Sequence, residues 1–207
     1  MSEKYDAARL MLDSDLETIR SLSSLADPGD TAGLVILYGL PGSGKTYMAR
    51  LIAERCRAVA LNSDQARRAL VQGTPRYDAG ENRRVFNVLN RRTEELLDAG
   101  QRVVFDSTAV RTWIRAPLER IAFERGIDPV RVHLDPPEEV IRARLDDRTP
   151  APDPVDQIRT WWDVYEWMKP GWQTIVEPHL CLVDPESAQE AVGTICRLLR
   201  GQADNPT

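Results

Sequence analysis

The sequence predicts an α/β fold, a three-layer α/β/α sandwich around a five-stranded parallel sheet. Three observations lead there. Short apolar runs at 34–38, 58–61, 102–106, 130–134 and 180–184 alternate with longer stretches of helical periodicity. The first run leads directly into Gly39-Leu40-Pro41-Gly42-Ser43-Gly44-Lys45-Thr46, which fits G-x-x-x-x-G-K-[ST] at every fixed position. Acidic residues, Asp64 and Asp106, follow the second and third runs, at the strand ends where open α/β sheets bind ligands.

The glycine loop is the strongest chemical signal. Glycines at 39, 42 and 44 leave no side chain between the peptide N–H groups and an oxyanion, and the helix that follows directs its positive end to the same place. Gly39, Pro41, Gly42, Ser43, Gly44, Lys45, Thr46 and Tyr47 therefore form the expected nucleotide-binding stretch. Lys45 reaches the outer phosphates of a nucleoside triphosphate, and the Thr46 hydroxyl is the expected ligand of magnesium.

Composition narrows the remaining classes. The 207 residues suit one domain with at most an appendage, and no apolar run approaches a membrane span. The opening residues lack a basic start followed by an apolar segment, so a cytoplasmic location is expected. Cys56, Cys181 and Cys196, at unrelated spacings in apolar stretches, are expected as buried thiols in a reducing compartment. His133 and His179 are the only histidines, too few for a metal cluster or a serine-histidine triad. A net charge of −5 argues against a protein that coats DNA. Arginines at 83/84, 91/92 and 142–148 leave room for a local basic groove.

Taken in order, residues 3–26 carry Leu12, Leu16, Ile19, Leu22 and Leu25 at helical spacing, ended by Asp27-Pro28-Gly29-Asp30. This helix either packs on the core or recruits a protein partner, and 1–30 is taken as an appendage to a main domain at 31–200. Asp64 either caps the helix of residues 65–70 or accepts a proton from a substrate hydroxyl. Arg67, one turn on, shares its helix face and can act on the same substrate. Residues 71–80 form a covering loop, and the arginines of a long helix at 81–99 are solvated or meet an anion. Asp106 holds magnesium through water or touches the substrate; no second acid follows, only Ser107 and Thr108, which favours transfer to a bound acceptor over hydrolysis.

A helix at 111–125 places Trp113, Ile114, Leu118, Ile121 and Ala122 on its apolar side. The next helix starts at its prolines, Pro136 and Pro137, and runs on to Arg144 and Arg148, which four-residue spacing would project from one side. They suit a hinged lid at about 144–155 that closes around a transferring phosphoryl group, although Arg144 could instead pair with nearby acids. Trp161, Trp162, Tyr165 and Trp167, in a helix at 155–168, are core anchors or a platform for a base. A closing helix at 187–199 and a flexible tail at 201–207 complete the chain.

Together, the loop at 39–46, Asn62-x-Asp64-x-x-Arg67, Asp106-Ser107-Thr108 and Arg144-x-x-x-Arg148 resemble P-loop kinases of the nucleoside monophosphate kinase architecture, most of all the polynucleotide 5′-hydroxyl kinases. The resemblance implies an ATP- and magnesium-dependent kinase with Asp64 as general base, steadied by Arg67. It implies that Lys45 and Arg148 stabilise the γ-phosphoryl, that Arg144 assists at the nucleotide, and that Asp106, Thr108 and Arg115 serve the acceptor, Asp106 also through metal-bound water. The implied acceptor is a nucleic-acid 5′ end. A small-molecule kinase of the same fold and a nucleotide-dependent switch that binds a partner through residues 3–26 are the other readings.

Overall fold

The computed structural model describes residues 2–26, 31–148, 160–183 and 187–201. Its strands are β1 (Gly33–Tyr38), β2 (Ala58–Asn62), β3 (Arg102–Asp106), β4 (Val130–Leu134) and β5 (Leu180–Leu182). They form one sheet in the order β2-β3-β1-β4-β5, and every neighbouring pair is parallel. The helices are α1 (Ser2–Leu22), α2 (Lys45–Cys56), α3 (Ser63–Leu70), α4 (Ala79–Asp98), α5 (Thr112–Phe123), α6 (Glu138–Asp146), α7 (Trp161–Met168) and α8 (Ala188–Leu198).

Alternation along β1 divides the core. Leu34, Ile36 and Tyr38 face a cluster with Leu16 and Ile19 of α1, Ala66 and Leu70 of α3, Val85 and Leu89 of α4, and Leu118 of α5. Val35 and Leu37 face the other way, onto Met48 and Ile52 of α2 and Val192 and Ile195 of α8. All six β1 residues are buried, and burying each large apolar side chain stabilises the fold by about 1.5–3 kcal/mol. The strand that carries the glycine loop is thus fixed at the centre. Register places Leu37, Asn62 and Asp106 side by side at the sheet's carboxyl edge.

Several expectations change in the structure. The first helix ends at Leu22, and its second half is docked rather than appended. Leu16 and Ile19 are buried, Asp15 takes two hydrogen bonds of 2.6 Å from Arg84, and Arg20 pairs with Glu95. A partner therefore cannot use that face without displacing α4. Cys56 and Cys196 form a disulfide that joins α2 to α8, and Cys181 is an exposed free thiol, so the expected set of three buried thiols does not hold. Spacing could not reveal this pairing, because 140 residues separate two cysteines that each look like ordinary apolar helix positions.

Among the described residues, no helix is long and apolar enough to cross a membrane. Within α5, Ile114, Leu118, Ile121 and Ala122 are buried as expected, whereas Trp113 is 47% exposed. The helix expected from 155 is seen from Trp161 onward. The lid segment 149–155, the turn at 27–30, Asp184 and the tail at 202–207 lie outside the described residues.

Candidate functional site

The glycine loop joins β1 to α2 with backbone angles that require its glycines. Gly39 has φ +154°, and a Cβ there would lie 2.4 Å from Ser43 Oγ and 2.8 Å from the Leu134 carbonyl. Gly42 has φ +81°, and a Cβ there would meet Leu145 of α6 at 2.8 Å. The loop is also tied to its surroundings: Gly39 N–H donates to the Thr108 carbonyl at 3.3 Å, and Arg144 donates to the Gly42 and Ser43 carbonyls at 3.2 Å each. Thr108 thus supports the loop through its backbone.

Lys45 begins α2 and folds back into the loop. Its ammonium donates to the Leu40 carbonyl at 2.8 Å and to Ser43 Oγ at 3.4 Å. Burial pushes it down to about 8, against the pull of the Asp106 and Asp64 carboxylates, while the Arg148 guanidinium pushes in the same direction as burial. Lys45, Asp64, Asp106 and Arg148 therefore share one electrostatic neighbourhood, although they come from four separate elements or segments.

Asp106 is 2% exposed and accepts a hydrogen bond from Thr46 Oγ1 at 2.8 Å and a second from Asn62 Nδ2. Burial raises its carboxyl above the usual range, opposed by Lys45, Thr46 and Asn62 and reinforced by Asp64. Asn62 has two functions, since its Oδ1 also accepts from Gln65 N–H at 2.7 Å and caps α3. Asn62, not Asp64, is the cap. Asp64 sits in the first turn with its side chain exposed, which leaves the proton-acceptor reading open to it. An asparagine between a strand end and a helix was the available signal for this capping role, but its contact with Asp106 depends on strand order.

The nominated arginines divide into two kinds. Arg144 bonds the loop carbonyls and Arg148 acts on Lys45 electrostatically, though the two are not neighbours on one helix, because α6 ends at Asp146. Arg148 lies beyond that end, its guanidinium 3.6 Å from the centre of the Trp161 ring. Arg67 is buried against Glu81 and donates to Asn82 Oδ1 at 2.7 Å; Arg115 is buried and donates to the Gln173 and Thr174 carbonyls at 2.8 and 3.2 Å. Each of these guanidinium groups thus bonds inside the fold, Arg67 to α4 and Arg115 to the 173–174 backbone. Sequence spacing also gave no sign of Trp161 as a partner of Arg148, nor of Glu81 as the anchor of Arg67.

Tyr47 and Arg144 line one pocket beside the loop together with Ser43, Gly44, Pro136 and Leu182. The histidines are placed structurally: His133 stacks on Trp172 with centroids 4.7 Å apart, and His179 Nδ1 lies 2.9 Å from the Glu177 carbonyl. Among the described residues, no group of three or more His, Cys, Asp or Glu side chains could hold a metal. A magnesium ion in this class of site needs few protein ligands, because phosphates and water complete its shell, and the oxygens of Asp106 and Thr46 suit a hard cation.

No curated protein matches the sequence. Among solved structures, the Mycobacterium tuberculosis APS kinase in complex with AMPPNP and APS is similar over 83% of this chain and 99% of its own, at 21% identity and a TM-score of 0.62. A Janibacter sugar kinase matches 84% of this chain and 99% of its own, at 19% identity and TM-score 0.59. A Sinorhizobium meliloti gluconokinase matches 83% and 97%, at 18% and 0.57. The fold is therefore that of P-loop kinases. A family profile described as an AAA domain matches residues 34–166, and the chain belongs to that AAA-domain family.

Proposed function

We propose that the protein is an ATP- and magnesium-dependent kinase that transfers the γ-phosphoryl group to a hydroxyl of a small molecule. The observation that carries this reading is the glycine loop with Lys45 buried in it, the Thr46–Asp106 hydrogen bond beside it, and the carboxylates of Asp106 and the exposed Asp64 within electrostatic reach of the Lys45 ammonium. The loop amides and Lys45 hold the outer phosphates, and Tyr47 and Arg144 border the pocket suited to the base. Asp106 and Thr46 would hold magnesium, which would supply neutralisation of the charge that develops on the phosphates.

Asp64 takes the proton of the acceptor hydroxyl as its oxygen bonds to the γ-phosphorus. The bond from that phosphorus to the β-phosphate oxygen breaks, and ADP leaves with the electron pair. Lys45 and Arg148 stabilise the charge on the transferring group, which is the main work of catalysis in phosphoryl transfer.

The preference for a small acceptor over a nucleic-acid end rests on three of the four arginines of α4. Arg84 is paired with Asp15, Arg91 with Glu94, and Arg92 with Glu95 and the Ser23 carbonyl, while Arg83 is exposed. With three of the four neutralised by carboxylates, the helix offers little of the positive groove that a nucleic-acid strand requires. The similar structures named for an APS, a sugar and a gluconate kinase agree with this preference.

The test incubates the protein with γ-labelled ATP, magnesium and a panel of sugars, nucleosides and 5′-hydroxyl oligonucleotides. Label on a small alcohol is expected; label on oligonucleotides alone, with strong salt dependence, would restore the polymer reading. Asp64→Asn should slow transfer by about 10²–10⁴-fold with ATP affinity almost unchanged. Wild-type turnover in that variant would remove Asp64 from its role.

A further inference from the structure

We propose that the acceptor is a neutral alcohol carrying a flat ring, a nucleoside or an aryl glycoside, and that Tyr77 and Trp113 bind its ring as specificity-determining residues; this rests on the kinase reading above.

The case begins with an unusual backbone. Tyr77 has φ +55°, in the left-handed region that large side chains avoid. The surrounding hydrogen bonds hold it there. Its N–H donates to Glu81 Oε1 at 3.2 Å, its carbonyl accepts from Asn82 Nδ2 at 2.8 Å, and the preceding Arg76 N–H donates to Glu81 Oε2 at 2.9 Å. Asp78 then caps α4 by accepting from Glu81 N–H at 2.9 Å. A strained residue fixed this firmly, with its side chain 46% exposed, indicates a role for the ring outside the core.

The ring is placed beside the chemistry. Tyr77 lies over the Arg67 guanidinium at 4.4 Å, and Arg67 stands one turn from Asp64 on α3. From there the wall continues without a break: Arg67 bonds Asn82, Phe86 is the next residue on that face of α4, and Phe86 meets Trp113 edge-on with centroids 5.3 Å apart. Trp113, in the first turn of α5, is 47% exposed. Two half-exposed rings therefore border a surface that starts at the expected base.

Charge selects the class of ligand. The terminal nitrogens of Arg67 are taken by Glu81 and Asn82, those of Arg115 donate to the 173–174 carbonyls, and Arg76 pairs with Asp78. The remaining Arg67 Nε is buried without a hydrogen-bond partner, too deep for a substrate anion to reach. With both buried guanidinium groups of this wall engaged inside the fold, its accessible recognition surface is its two rings, whose faces gain from stacking on a flat ligand.

The experiment measures transfer from γ-labelled ATP to adenosine, phenyl glucoside, glucose and glycerol, with wild type, Tyr77→Phe and Tyr77→Gly. Glycine relieves the backbone, so Tyr77→Gly should melt at the same temperature or higher while its KM for the ring-bearing acceptor rises about tenfold or more. Tyr77→Phe should keep the wild-type KM. If phosphate passes to glucose and glycerol as readily as to the ring-bearing alcohols, or if Tyr77→Gly leaves KM unchanged, the ring-binding wall is refuted and the kinase reading survives. If no alcohol accepts phosphate, the kinase reading falls and this inference with it.

Discussion

The two faces of the sheet are built differently. On the face of α2 and α8, apolar packing is supplemented by the Cys56–Cys196 disulfide, and the helix carrying Lys45 and Thr46 is tied covalently to its neighbour. On the face of α1, α3, α4 and α5, arginine–carboxylate pairs link the elements: Asp15–Arg84, Arg20–Glu95, Arg67–Glu81 and Asp98–Arg125. The paired arginines on this second face are part of the framework, whereas Arg144 and Arg148 at the loop are held by carbonyls and a ring and meet no carboxylate in an ion pair among the described residues. A guanidinium with a carboxylate partner stabilises the fold; one without can meet a phosphate.

The sharpest way to break that contrast exchanges the two kinds. Arg148→Ala should cost roughly 10³-fold in kcat with little change in unfolding free energy. Arg67→Ala should lower stability by about 3–5 kcal/mol, because it leaves the buried Glu81 carboxylate unpaired. Urea unfolding and steady-state kinetics on both variants separate the outcomes, and a fully stable Arg67→Ala would show that the second face does not depend on its ion pairs.

The covalent tie on the first face gives the next largest effect. Cys56→Ser should reduce stability by about 2–5 kcal/mol, and reductant should do the same to the wild type but nothing further to the variant. Equal stability of oxidised and reduced wild type in urea would refute the tie.

How far these differences could be read in advance follows from the range of each signal. The five strands, the glycine loop and the acids at strand ends were legible, because alternation, glycine chemistry and strand-end position are local. The fate of a donor is not local. Arg67 finds its carboxylate 14 residues on, Arg115 its carbonyl 58 residues on, and Cys56 its partner after 140. Arg144 and Arg148 looked like one helix face by spacing, and only the end of α6 at Asp146 separates them. For α1, periodicity showed an apolar stripe but not what covers it; α4 does, and the appendage becomes part of the core.

pH should distinguish the two faces as well. Lys45 lies at about 8 in the folded protein against 10.5 for an ordinary lysine. Between those values the unfolded chain binds more protons than the native one, so this residue makes stability rise with pH across the window from about 8 to 10.5. Nucleotide binding should run the opposite way. Above about 8 the free site has lost the proton that the phosphates require, and affinity for ATP should fall by up to about tenfold per pH unit. Lys45→Arg, whose guanidinium keeps its proton, should flatten this dependence. Calorimetric Kd values for AMPPNP at pH 7 and 9 provide the check, and identical values would mean that Lys45 is still protonated at pH 9.

The smallest effect concerns what aims Arg148. Its guanidinium lies 3.6 Å from the centre of the Trp161 ring, and the same stretch stacks Arg142 over Trp162 at 4.5 Å and Trp162 on Tyr165 at 4.7 Å. A cation–π contact at a partly exposed site is worth about 0.5–1 kcal/mol, which corresponds to about two- to fivefold in rate if the stack holds the arginine where the phosphoryl group passes. Trp161→Ala should therefore lower kcat by that factor and leave the KM for ATP unchanged, because the loop and Lys45 bind the nucleotide without it. Trp161→Phe should recover most of the loss. A purely structural tryptophan would instead lower the melting temperature and shift both constants, so unchanged melting with a reduced kcat separates aim from support. A wild-type kcat in Trp161→Ala would mean that Arg148 finds the phosphoryl group unaided.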